Sequence, residues 1–276
     1  YTQAVLLAAG WPFLLALACA AGLSAAVGVV VGLPALRVKG IYLGMATLAF
    51  GFIVEEVLAR WESVTGGNAG LHVKAPQIMG WSLSGGETFY FLCLCITVLA
   101  TLGLLNLLRS PTGRAFVAIR DSEISAQSMG IHLAHYKTLS FALSAALAGV
   151  AGALYAHKLQ FISPDQFNIL QSIDLLLMIV IGGLGSVHGV FLGALFLISM
   201  PQAIAMVKDY LPAAIGQAPG LQAAVYGVVL IAFVLFEPMG LYGRWLKVRT
   251  WLQLFPFYRK GMFKRQKSFQ KSDRLK

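Results

Sequence analysis

Residues 12–33 contain no charged side chain, and comparable apolar stretches recur along the chain. About 20 such residues in a helix cross the hydrocarbon layer of a bilayer, where every backbone polar group must be bonded within its own segment. The recurrence therefore points to an all-α polytopic membrane protein. A composition of 58% hydrophobic and 12% charged residues agrees, being far more apolar than that of a soluble domain. The expected spans are 12–33, 40–59, 88–108, 139–156, a short 173–184, 190–207 and 221–236, about seven transmembrane or re-entrant helices in all.

The net charge of +10 belongs to one end of the chain. Residues 244–276 hold eleven of the 21 Lys and Arg and only one of the 11 acids, Asp273. The remainder is balanced. We therefore divide the chain into a transmembrane region, 1–243, and a basic tail, 244–276, whose cations interleave with aromatics as in an interfacial segment. The positive-inside rule and attraction to anionic lipid account for such a tail, so membrane lipid is an expected partner and nucleic acid is not invoked. The rule also places the loop after Pro34, with Arg37 and Lys39, on the cytoplasmic side. If 173–207 were one helix the tail would fall outside, so the chain must turn at the glycine cluster 182–189. The expected start is external and the expected end cytoplasmic.

Glu55 and Glu56 lie about 15 residues into the second span, roughly 22 Å from its cytoplasmic end. They are either water-facing acids at a helix end or the wall of a vestibule. The external stretch TGGNAGL that follows supplies backbone conformations of positive φ. It is either a plain loop or a polar element lining a pathway through Thr65, Gly66, Gly67, Asn68 and Gly70, joined by Gly182, Gly183 and Gly185 of the later cluster. Gly28 with Gly32, and Gly185, Gly189 and Gly193 at four-residue spacing, read as faces of close helix packing.

One interval resists the membrane pattern: RSPTGRAFVAIRDSEISAQSMGIHLAHYK, residues 109–137. It is too polar to span and carries its own helix signals. Thr112 is placed to cap a first short helix over 113–120, Asp121 or Ser122 to cap a second, and Gly130 to end it, with Glu123 in a first turn where an anion suits the helix dipole. Phe116, Val117, Ile119, Ile124 and Met129 give the pair an apolar side, and Arg114, Arg120, Asp121 and Glu123 a polar one. Such a pair presents a docking surface at the membrane face.

No P-loop, HExxH, paired-Cys or GxSxG pattern occurs, so no catalytic residues are assigned and no enzymatic activity is expected. Cys19, Cys93 and Cys95 lie inside apolar runs, and His132 with His135 has no carboxylate or thiol at ligand spacing, so no metal is assigned. The spans carry no central acid or lysine relay. Energy for any transport must come from a partner.

The runs LRVKGIYLGMATLAFGFIVEEV, TGGNAGL, PTGRAFVAIRDSEISAQSMGIHLAHYKTLSFALSAALAGVAGALYA and IVIGGLGSVHGVFLGAL, in this order, resemble the LivM-like permease subunits of branched-chain amino acid ABC importers over residues 1–245. The resemblance implies a bacterial inner-membrane, multi-pass subunit passing hydrophobic amino acids to the cytoplasm. It also implies a paralogous permease subunit, two cytosolic ATPases holding ATP and Mg, a periplasmic solute-binding protein, and no cofactor in this chain. By the same likeness 109–137 is the coupling loop, with Arg114, Phe116, Ile119, Arg120, Glu123, Ala126 and Gly130 contacting the ATPase. Family members carry further spans ahead of the position of Tyr1, so upstream spans are expected to be missing. Relatives carry urea, amides or aromatic acids. A stand-alone channel or a purely structural subunit remains the alternative from a different class.

Overall fold

The structure is a computed structural model and describes residues 1–36, 40–78, 81–82, 85–208, 224–225, 227–228, 231–232 and 240–254. They fall in two units, Tyr1–Ser172 and Ile173–Lys276. Among the described residues six helices have the length and hydropathy to cross a membrane: Phe13–Pro34, Tyr42–Arg60, Gly86–Arg109, Leu133–Leu159, Pro164–Gly182 and Val187–Met206. The chain is thus an all-α multi-pass membrane protein. The expected span 221–236, the loop cations Arg37 and Lys39, and the tail beyond residue 254 lie largely or wholly outside the described residues.

The first unit is built on two helices, α2 (Phe13–Ala35) and α8 (Leu133–Leu159), preceded by a short α1 (Thr2–Ala8) that the apolar pattern did not reveal. Small side chains let their backbones meet. A β-carbon on Gly28 would lie 2.6 Å from Ala145 Cβ and 2.7 Å from the Phe141 carbonyl, and one on Gly149 would lie 2.7 Å from Ser24 Cβ. This is the small-residue packing that membrane helices use where no hydrophobic effect drives them together. Phe13, Leu17 and Ala153 form one buried cluster, and Ala4, Val73, Ala156 and Ile162 another. Between them the buried Gln3 donates from Nε2 to the Phe13 carbonyl at 3.4 Å and lies 3.4 Å from His157 Nε2.

Several boundaries differ from expectation. α2 runs through Pro34 to Ala35, because a proline in the last turn forfeits only one hydrogen bond before the helix ends. α8 begins at Leu133 rather than 139, so its first turns lie within the interval 109–137. No Gly or Pro stands between Leu133 and Lys137 to stop a helix there. Helices α3 (Ile41–Arg60) and α5 (Gly86–Arg109) match the second and third spans to within two residues.

Between α3 and α5, α4 (Glu62–Thr65) and a 3-10 turn (Gly67–Ala69) lead to strands β1 (Leu71–His72), β2 (Gln77–Ile78) and β3 (Trp81–Ser82). β1 pairs antiparallel with β4 (Phe161–Ile162), Leu71 opposite Ile162, while β2 pairs with β3. The β1–β4 pair ties the loop after α3 to the loop after α8.

At the boundary of the units, α9 (Ile169–Gly182) is longer than the short span expected at 173–184 and is led in by a 3-10 turn, Pro164–Phe167. In the second unit α10 (Val187–Lys208) turns back along it. Gly193 packs onto the Met178 carbonyl, and Gly182 onto Gly189. The small-residue face is therefore Gly189 and Gly193 against Gly182. Gly185 is not part of it, since it lies in the turn with φ +84°. The last described element is α11 (Gly240–Leu254).

Candidate functional site

The helix pair in 109–137 joins the end of α5 to the start of α8. Ser110 caps α6 (Pro111–Asp121): its Oγ accepts from Gly113 N–H at 3.3 Å and donates to the Leu107 carbonyl at 2.6 Å. Thr112 does not cap, because Pro111 takes the first helical position, where its missing N–H costs nothing and its fixed φ suits the helix. A β-carbon on Gly113 would collide with the backbone of Leu107 and Leu108, so only glycine permits this corner. Ser122 caps α7 (Glu123–Ser128) through Ser125 N–H at 3.2 Å. Gly130, at φ +82°, closes α7: its N–H bonds to the Gln127 carbonyl and Ile131 N–H to that of Ala126, the paired bonds of a Schellman stop.

Two contacts fasten the pair to α8. Lys137 Nζ lies 2.7 Å from Glu123 Oε1, both side chains partly buried. Phe116 and Tyr136 meet edge to face with centroids 6.1 Å apart. The side chains named from sequence thus separate into two sets. Ala126 is buried, Phe116 and Ile119 are half-buried, and Glu123 is engaged with Lys137, so these shape the pair from inside. Arg114 and Arg120 are exposed, the latter bonded to Asp121 at 3.0 and 3.1 Å. The most exposed apolar groups of the pair are Ile124, 81% accessible, and Met129, 78%, and Val117 on α6 is also exposed at 39%. The sequence pattern put these three on the same apolar side as Phe116 and Ile119; the structure leaves them exposed while Phe116 and Ile119 are half-buried.

Breaking the Glu123–Lys137 pair by Glu123→Gln is expected to cost about 1 kcal/mol or less, as for partly solvated ion pairs. The loss should be local. Faster amide exchange over 123–128 with unchanged exchange in α2 is the expected result.

α8, 27 residues long, extends about 40 Å from the helix pair. Past its far end a cavity of about 800 Å³ is lined by Glu55, Glu56 and Arg60 of α3, by Glu62 and Asn68, and by Asp165. Arg60 is paired with Glu56, leaving an excess of carboxylates. A narrower recess of about 80 Å³ shares Phe52 and Glu55 with it and continues along α3 to Thr47 and Leu48. These residues recur at three- and four-residue steps, so they occupy one face of α3, acidic at its end and apolar within. Nearby, burial pushes the Tyr1 phenol up to about 12, and the Asp165 carboxylate adds to the rise.

Of the proposed pathway residues only Asn68 lines this cavity. Thr65 is buried, with Oγ1 2.6 Å from the Leu58 carbonyl and 2.7 Å from that of Trp61, and it accepts from Gly67 N–H at 3.2 Å. Gly66 and Gly67 adopt positive φ, and a β-carbon on Gly70 would lie 2.6 Å from the Ile162 carbonyl. In TGGNAGL the glycines are packing positions. Gly182 and Gly183 are likewise buried in the α9–α10 hairpin, with Gly185 exposed at its turn.

Residues 1–234 match the family model described as branched-chain amino acid transport system / permease component. The chain belongs to this family. It is 31% identical over 242 residues to the high-affinity branched-chain amino acid transport system permease protein LivM of Salmonella typhimurium, covering 79% of this chain and 54% of the relative. A probable LivM of Methanocaldococcus jannaschii is 27% identical over 83% of this permease chain and 67% of its own length. The autoinducer 2 import system permease protein LsrC of Salmonella typhimurium is 28% identical over 63% and 47%. The chain spans about half the length of the bacterial LivM proteins it matches. No solved structure matches it.

Proposed function

We propose that this chain is a membrane-spanning permease subunit of an ABC importer in a bacterial inner membrane, and that Ile124, Met129 and Val117 are the contact through which a cytosolic ATPase drives it. The observation that carries the reading is a helix pair capped at Ser110, Ser122 and Gly130 and tied to α8, with Ile124 and Met129 left about four-fifths exposed. Covering one such side chain is worth about 1.5–3 kcal/mol, so a partner that buries Ile124 and Met129 gains a substantial interaction. Arg114 and Arg120, exposed on the same helix pair, add charge that orients the partner. The complete importer comprises a paralogous permease subunit, two ATPases that hold ATP and Mg, and a periplasmic binding protein. The helix pair and the carboxy-terminal tail face the cytoplasm, and the acidic cavity faces the periplasm. ATP-dependent uptake by proteoliposomes of the full complex tests this; solute flux through the purified chain without ATP or partners would overturn it.

The substrate we propose is a branched-chain or other hydrophobic amino acid. The relatives include both LivM and LsrC, and the acidic cavity discriminates among solutes by charge. Four carboxylates against one guanidinium repel an anion about 8 Å away by roughly 2 kcal/mol at an effective dielectric near 60. A zwitterion escapes most of this penalty, whereas benzoate does not. With Cys19, Cys93 and Cys95 replaced by Ala, Asn68→Cys should react faster with a cationic than with an anionic thiol reagent. Glu55→Gln with Glu62→Gln should shrink that preference about ten-fold or more. A preference that survives both changes would remove the vestibule from the account.

A further inference from the structure

The second unit contains a groove between α10 and α11. Gly240 begins α11 at φ +66°, where a β-carbon would lie 2.6 Å from Gly183 N and 2.7 Å from the Ile181 carbonyl. This contact pins the start of α11 on the α9–α10 turn. Tyr242 then stacks on His188 with centroids 6.0 Å apart and planes 12° from parallel. Beyond the stack α10 and α11 enclose a cavity of about 430 Å³. Phe191, Leu192 and Leu246 form its apolar part, while His188, Tyr242 and Arg249, with the Trp245 indole, bring polar groups to it.

We infer that this groove binds one anionic phospholipid, its phosphate held by Arg249 and its proximal acyl carbons laid on Phe191, Leu192 and Leu246. Charge is the first reason: α11 carries Arg244, Lys247 and Arg249 and no acid, and among the described residues no carboxylate pairs with Arg249. Amphipathic lining is the second. A free phosphate would leave the apolar wall uncovered, whereas a glycerophospholipid covers both parts, and the volume lies within the range of ligand pockets. Trp245 and Tyr242 are the residue types that settle at the level of lipid headgroups. The inference rests on the proposed cytoplasmic placement of α11, since that leaflet face concentrates anionic lipid.

The test uses the full complex in nanodiscs of phosphatidylethanolamine with phosphatidylglycerol, followed by mass spectrometry of retained lipid. The unmodified chain should retain phosphatidylglycerol selectively. Arg249→Ala should lower that retention about five-fold, whereas Lys247→Ala, on the same helix but outside the groove, should lower it less than about two-fold. Tyr242→Ala should also lower it, because it removes one wall. Equal losses from Arg249→Ala and Lys247→Ala would show attraction to the helix as a whole and overturn the site. So would equal retention of the two lipids, or displacement of phosphatidylglycerol by inorganic phosphate. Nanodiscs present phosphatidylglycerol on both faces, so retention reports on the groove, while protease access to a carboxy-terminal tag in intact cells reports on sidedness separately.

Discussion

Replacing Ile124 and Met129 together with aspartate is expected to weaken association of the chain with its ATPase at least about 100-fold, the loss typical of removing two central anchors from an interface. ATP-driven uptake should fall to background. The argument is asymmetric between the two states of the protein. In the isolated chain both side chains are about four-fifths exposed and neither belongs to a buried cluster. Aspartate there leaves the caps at Ser110, Ser122 and Gly130 and the tie from Glu123 to Lys137 in place. In the proposed complex the same change would put two charges where apolar contact is expected, and each would have to be desolvated or leave a gap. Membrane insertion and thermal stability of the variant should match those of the unmodified chain. ATPase co-purification at the unmodified level would remove the patch from the coupling account.

Gly193→Leu should have the opposite signature, destroying the fold rather than the partnership. Gly193 faces the Met178 carbonyl, and its β-carbon would also lie 2.9 Å from Gly182 N. Both obstacles are backbone atoms within α9, so no side chain can swing away. Overpacking of this kind costs typically 1–3 kcal/mol, and about 3 kcal/mol or more is expected where two helix backbones must separate. The α9–α10 hairpin should fail to form, seen as lowered thermal stability of the purified chain and loss of protease resistance across 173–208. Gly185→Ala is the contrasting change: Gly185 lies in the exposed turn, and its cost is confined to the positive φ there. Similar stability of the two variants would contradict the packing described.

What was legible in the sequence was what one helix decides alone. Long apolar runs located the spans of α2, α3 and α5, and Ser122, Glu123 and Gly130 located α7, because apolar length and capping are local. Helix ends were less legible wherever a polar residue continues a helix as readily as an apolar one. His135, Tyr136 and Lys137 belong to α8 for that reason. Least legible was anything set by a distant partner. The β1–β4 pairing joins residues 71–72 to 161–162, and without it TGGNAGL looks open to solvent instead of packed against Ile162. The orientation of the helix pair is of the same kind. Phe116 turns inward because Tyr136 in the first turn of α8 receives it, and Ala126 is covered, so the side chains left for a partner are those that the periodicity of one helix could not separate.

The central claim is that a cytosolic ATPase covers Ile124 and Met129, and the most direct test is photocrosslinking in the assembled complex. A photoreactive residue substituted at Ile124 or Met129 should capture the ATPase subunit, while one at Leu195, exposed within the membrane-spanning α10, should not. Capture of lipid alone from positions 124 and 129, with the ATPase present and active, would contradict the account.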